Sequence, residues 1–132
     1  MDKFDAIVIG SGPGGYVCAI KLAQLGVKVA CVEGSAALGG TCLNVGCIPS
    51  KALLHMAKFI DEAEDLNQHG IDCGEIKLDV DKIRDYKDGV IGKLTGGLKM
   101  MAKQRKVDIV TGYGRFIDEH TLEVDKNGEI TL

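Results

Sequence analysis

Residues 4–9, Phe-Asp-Ala-Ile-Val-Ile, form a short apolar run stopped by Gly10, the pattern of a strand covered on both faces. Residues 14–25 read as a helix, with Pro13 suited to its first position and Gly26 to the position just past its end. Val17, Ala19, Ile20, Ala23 and Leu25 leave this helix little polar face, which predicts that it is well covered. Residues 28–33 form a second buried-type strand. Strand, helix and strand thus make a βαβ unit, whose right-handed crossover sets the two strands parallel. A loop over 34–41 leads to a helical region from about 42 to 66, and residues 70–78 are irregular. Val80, Ile83, Val90, Ile91, Leu94, Leu98 and Met101 recur at three- and four-residue steps, marking a long amphipathic helix whose apolar stripe ends at Met100 and Met101. Gly89, Gly92, Gly96 and Gly97 weaken its regularity, at roughly 1 kcal/mol each relative to alanine. Residues 107–110 read as a third strand, 115–117 and 121–124 as an antiparallel pair, and 129–132 as the start of another strand.

The 132 residues, 45% apolar and 27% charged, have the composition of one globular domain spanning 1–132. Disorder, coiled coil and a membrane span are excluded, since no apolar run approaches the ~20 residues a bilayer requires. The net charge of −3 speaks against a nucleic-acid partner. Residues 77–106 hold nine basic and four acidic side chains, read as a solvated helix face in preference to a dock for an acidic partner. Five cysteines and no secretory leader predict a cytoplasmic protein, in which a disulfide is catalytic rather than structural. Cys18 and Cys31 are expected to pack in the βαβ core, and Cys73 to lie in a loop. The chain stops inside a strand-like run, the expectation being a truncated domain.

Gly10, Gly12 and Gly15 form G-x-G-x-x-G, within Gly10-Ser11-Gly12-Pro13-Gly14-Gly15. The pattern gains weight from its place, directly after a strand and opening a helix. Gly10 allows the tight turn, Gly12 the approach of a pyrophosphate, and Gly15 close packing of helix on strand. The helix N-terminus offers free N–H groups and partial positive charge to phosphates. Glu33 ends the second strand 21 residues after Gly12, placed to accept hydrogen bonds from both ribose hydroxyls and to repel a 2′-phosphate. FAD or NAD is favoured over NADP. The class predicted is α/β, a Rossmann-like parallel sheet with its βαβ unit, followed by the start of an antiparallel β-meander.

Three readings compete for Cys42 and Cys47: a zinc site, two packed thiols and a redox disulfide. Zinc lacks a second Cys or His pair at suitable spacing. In a regular helix, residues five apart have Cα atoms about 8–9 Å apart, whereas a disulfide usually needs less than ~7 Å. A bridge therefore requires a distorted turn. Gly46 supplies flexibility, and Pro49 lacks the N–H that would bond the Val45 carbonyl. Lys51, four residues past Cys47, adds positive charge to that face; the competing reading is a solvated surface lysine. His55 falls on the same face and reads as a packed helix residue.

The run Gly-Gly-Thr-Cys-Leu-Asn-Val-Gly-Cys-Ile-Pro-Ser-Lys, residues 39–51, downstream of Gly-Ser-Gly-Pro-Gly-Gly and Glu33, resembles the pyridine nucleotide–disulfide oxidoreductases. Within them it looks most like the dihydrolipoamide dehydrogenase branch, by Ser50-Lys51-Ala52-Leu53-Leu54-His55 and Leu94-Thr95-Gly96-Gly97-Leu98. The resemblance implies that residues 1–132 are the N-terminal part of an FAD-binding domain carrying the redox helix. Cys42 would be the interchange thiol and Cys47 the thiolate nearer the flavin, with Lys51 beside it. Gly12, Pro13 and Gly14 would hold the pyrophosphate in a cofactor loop shaped by Gly10 and Gly15, Glu33 would hold the ribose, Gly40 and Thr41 (with Cys42) the cofactor's flank, and Gly114 the adenine. Electrons would pass from dihydrolipoamide through Cys42–Cys47 and FAD to NAD+. The implied partners are the lipoyl domain of a 2-oxoacid dehydrogenase complex and a second subunit of a homodimer. No second glycine fingerprint for NAD and no His–Glu base is encoded, and His55, His69 and His120 do not map onto that base. A glutathione- or mercuric-reductase-like enzyme and a non-catalytic dinucleotide-binding redox module are the alternatives.

Overall fold

The computed structural model describes residues 2–126 and 129–131. β1 (Ala6–Ile9), α1 (Pro13–Gln24) and β2 (Val29–Glu33) form the βαβ unit, with Ala6 opposite Val29 and Ile9 opposite Val32 in parallel register. α2 (Gly40–Asn44), α3 (Cys47–Gln68) and α4 (Val80–Gln104) then lead to β3 (Asp108–Thr111), which joins the other edge of β2, also parallel. The sheet order is β1-β2-β3. β4 (Tyr113–Phe116), β5 (Leu122–Lys126) and β6 (Glu129–Thr131) make a separate antiparallel meander. The fold class is therefore α/β, Rossmann-like with an appended β-meander, as the alternation of apolar runs predicts.

β2 is the axis of the core. Val29, Ala30, Cys31 and Val32 are all buried, as the middle strand of a parallel sheet requires. Ala19 of α1, Ala102 of α4 and Val107 close over Val29 and Cys31. The two helices approach the sheet through alanines because a small side chain lets backbone lie close to backbone. Gly15 serves the same end where α1 leaves the glycine-rich loop. A Cβ there would overlap the Gly10 carbonyl oxygen.

Four expectations are corrected. The helical region from 42 onward is two helices, broken at Val45 and Gly46. α1 is not well covered: Val17 and Leu25 are exposed, and so is Cys18, which points away from the core that Cys31 occupies. An almost uniformly apolar helix has no polar face to set its rotation, so periodicity could not say which side turns inward. Met100 and Met101 are exposed as well; the buried stripe of α4 runs through Leu98 and Ala102. Nor is β1 covered on both faces: it pairs only with β2 among the described residues, and Ile7 and Ile9 stand exposed along it. No described helix is long and apolar enough to cross a membrane.

The packing predicts opposite responses to the same substitution at two glycines. Gly15→Ala should lower unfolding stability in urea by about 2 kcal/mol or more, because the overlap is with backbone that cannot turn aside. Gly89→Ala, on α4 with open space around it, should raise it by up to ~1 kcal/mol.

Candidate functional site

The glycine-rich loop bends from β1 into α1 with Pro13 at the helix start and no side chain capping the first turn. Its uncapped N–H groups therefore face outward with the positive end of the helix dipole. A Cβ on Gly12 or Gly14 would meet nothing within 4 Å. Neither glycine is required by the packing of the chain itself, which leaves a cradle that side chains would fill and that a phosphate group fits. Gly40 is different. A Cβ there would come within 2.8 Å of Gly12 Cα, and its φ of +59° is left-handed, so only glycine lets the second segment lie on the loop.

Ser11 holds that contact from inside. It is fully buried, and its carbonyl and hydroxyl oxygens both accept the Gly39 N–H, at 2.9 and 3.2 Å. Glu33, at the end of β2, accepts hydrogen bonds at Oε2 from the Ser11 N–H at 2.8 Å and from the Ser11 hydroxyl. Its Oε1 accepts from the Ser35 N–H and hydroxyl, both at 2.8 Å. Partial burial alone would raise the Glu33 pKa; the four hydrogen bonds outweigh it and bring it down to about 2. A cleft of about 660 Å³ opens at this point, lined by Gly10, Glu33, Gly40, Thr41, Asn44 and Gly114 among others. Five of the residues singled out from sequence thus share one wall. Tyr113 joins them, its ring lying where a side chain on Gly34 would be.

α2 carries Cys42 away from the cleft wall, one residue after Thr41. The chain breaks at Val45 and Gly46 and restarts as α3 at Cys47. A Cβ on Gly46 would lie 3.0 Å from the Thr41 carbonyl oxygen, so the break is tight. It brings together two thiols that a straight helix would hold apart. Both are free cysteines, Cys42 half-buried and Cys47 exposed. The Cys42 thiol is held above the usual cysteine range, chiefly by the neighbouring Cys47 side chain. Lys51 lies close enough to pull the other way without prevailing. Of the three sequence readings, zinc gains no support: no group of three or more metal-binding side chains occurs among the described residues. Lys51, Cys42 and Cys47 do not line the cleft itself; they stand beside it on the helix pair that starts from its wall. His55 is exposed, its ring edge-on to Phe59 at 5.0 Å.

Ser11, Ser35 and Asn44 were missed by motif reading. Asn44 donates from Nδ2 to the Leu38 and Gly40 carbonyls at 3.2 and 2.9 Å, pinning the turn that precedes α2. Serine beside a carboxylate carries no periodic signal, and the Ser11–Glu33 contact spans 22 residues.

The depressed Glu33 pKa fixes the sign of an acid dependence. The folded state keeps this carboxylate ionised where the unfolded chain takes up a proton. Its contribution is complete above about pH 4.5 and is lost as pH falls through about 2. Urea unfolding of Glu33→Gln should therefore differ from the parent most at neutral pH. The gap should narrow steadily between those two pH values.

The family described as pyridine nucleotide-disulphide oxidoreductase matches residues 4–131. The dihydrolipoyl dehydrogenase of Vibrio cholerae is 55% identical over 123 residues, covering 93% of this chain and 26% of that protein. The mitochondrial dihydrolipoyl dehydrogenase of Pisum sativum is 47% identical over 133 residues, covering 99% and 26%. Among solved structures, the Cu(II) complex of the HOCl-induced flavoprotein disulfide reductase RclA from Escherichia coli is similar with a TM-score of 0.76 at 32% identity, across 99% of this chain and 26% of that one. The chain spans about a quarter of the length of these relatives. A parallel βαβ unit with two neighbouring thiols beside its cleft, matched over nearly every residue, places this chain in the pyridine nucleotide–disulphide oxidoreductase family.

Proposed function

We propose that the chain supplies the FAD-holding and dithiol part of a dihydrolipoyl dehydrogenase, oxidising a protein-bound dihydrolipoyl group and passing its electrons to NAD+. The observation that carries this is the placement of Cys42 and Cys47 as interacting neighbours across the break between α2 and α3, next to a glycine cradle open to a dinucleotide. Identity of 55% to a dihydrolipoyl dehydrogenase, against 32% to a flavoprotein disulfide reductase, favours the lipoyl substrate over a broader reductase role.

In this reading Gly12, Pro13 and Gly14 hold the pyrophosphate in a loop shaped by Gly10 and Gly15, and Glu33 holds the ribose hydroxyls. Gly40 and Thr41 flank the cofactor, Gly114 meets the adenine, and Lys51 sets positive charge by the thiols. FAD, when bound, supplies the two-electron acceptor for the reduced cysteine pair. In the oxidised protein Cys42 and Cys47 share a bond. One substrate thiolate attacks the Cys42 sulfur, and the Cys47 sulfur leaves as a thiolate. The second substrate thiol then attacks the mixed disulfide, closing the substrate's S–S bond and releasing Cys42. Two electrons have passed from the substrate to the cysteine pair; the proton of the attacking thiol goes to solvent as its thiolate forms, and that of the second thiol goes to the released Cys42 sulfur. The lipoyl domain of a 2-oxoacid dehydrogenase complex is the proposed substrate carrier, and a homodimer the proposed assembly of the whole protein.

Oxidised lipoamide should close a Cys42–Cys47 bridge, read by peptide mass spectrometry, and dihydrolipoamide should reopen it. Bridging of another cysteine pair, or equal response to glutathione disulfide, would count against the assignment. Gly12→Ala should leave urea unfolding within ~0.5 kcal/mol of the parent, while weakening FAD binding by about tenfold or more, near 1.4 kcal/mol.

A further inference from the structure

A carboxylate offers about four lone-pair sites, and on Glu33 the two serines use all of them, two on each oxygen. A diol entering the cleft must displace a serine hydroxyl from each oxygen it reaches. The two serines are unequally placed for this exchange. Ser35 is exposed, and its hydroxyl already lies 3.1 Å from the Ala37 carbonyl oxygen, an acceptor to which it can turn. Ser11 is fully buried, and its hydroxyl oxygen is also an acceptor for the Gly39 N–H. The Ser11 hydroxyl cannot turn without altering that bond. Gly39 accepts the Leu43 N–H at 3.3 Å, opening α2, and its successor Gly40 has no free space toward Gly12. A change at Glu33 Oε2 thus reaches the helix that bears Cys42 through one residue, Ser11, whose hydroxyl shares the Gly39 N–H with its own carbonyl oxygen.

We propose that Ser11 is a positioning residue that couples the two halves of the site: a ribose-type diol bound at Glu33 resets the Ser11 hydroxyl, and through the Gly39 turn it resets the exposure and reactivity of Cys42. This rests on the reading of the cleft as a nucleotide site and gives that site a means of regulating the thiols. Ser35 has the escape route that Ser11 lacks, so it takes part in binding without transmitting it.

The test is the alkylation rate of Cys42 by iodoacetamide, followed by peptide mass spectrometry on the reduced, flavin-free protein, with and without saturating ADP. Calorimetry measures ADP binding separately. In the parent protein ADP should change the rate by about two- to tenfold, the worth of one hydrogen bond gained or lost. Ser11→Ala, binding ADP, should bring the ratio to about one; Ser35→Ala should preserve it. On the unmodified protein, 2′,3′-dideoxy-ADP keeps the pyrophosphate but offers no hydroxyls, and should leave Cys42 reacting as it does without ligand. If the dideoxy compound acts as ADP does, or Ser11→Ala keeps the ratio, the ligand merely shields the thiol and the coupling is overturned. A parent protein that binds no ADP overturns the nucleotide reading, and the coupling with it.

Discussion

Everything at this site depends on two stretches of backbone lying closer together than side chains allow. The turn at Gly39 and Gly40 rests on the loop at Ser11 and Gly12, with no room for a Cβ at Gly40 and a buried serine bonding across. That contact joins the part of the chain that can receive phosphates to the part that carries the thiols. Bulk at Gly40 would displace α2 as a body, and the thiols with it. The cleft and the cysteine pair are therefore two faces of one packing constraint.

The division of labour among glycines follows from this. Gly15 and Gly40 are demanded by the protein's own packing, whereas Gly12 and Gly14 face open space. The motif already assigns Gly15 to close packing, and a Cβ there overlaps the Gly10 carbonyl; the demand at Gly40, which lies outside the motif, is visible only in the structure. The structure separates glycines that build the cradle from glycines that keep it empty. The second kind carries the functional argument, since folding alone leaves no reason for them.

Much of the architecture was legible because it rests on local signals. The apolar runs before Gly10 and before Glu33, with Pro13 and Gly26 bracketing the helix between them, mark β1, α1 and β2 to within a residue or two. Gly46 and Pro49 advertised an irregularity at the cysteines, and the chain breaks there. What stayed hidden is non-local or has no phase. Ser11 and Ser35 anchor Glu33 through contacts that no spacing rule encodes. The rotation of α1 is set by Ala19 meeting β2, so Cys18, one residue away, turns outward instead of joining Cys31.

The outer rim of β1 carries a further consequence. Its backbone N–H and C=O groups on that side have no strand beside them among the described residues, and Ile7 and Ile9 add apolar surface along it. Such a rim is a template that accepts any extended polypeptide, copies of itself included. Self-association through this strand is the hazard to manage when the protein is concentrated, and a charged residue at Ile7, outside the cleft that Ile9 lines, is the place to begin.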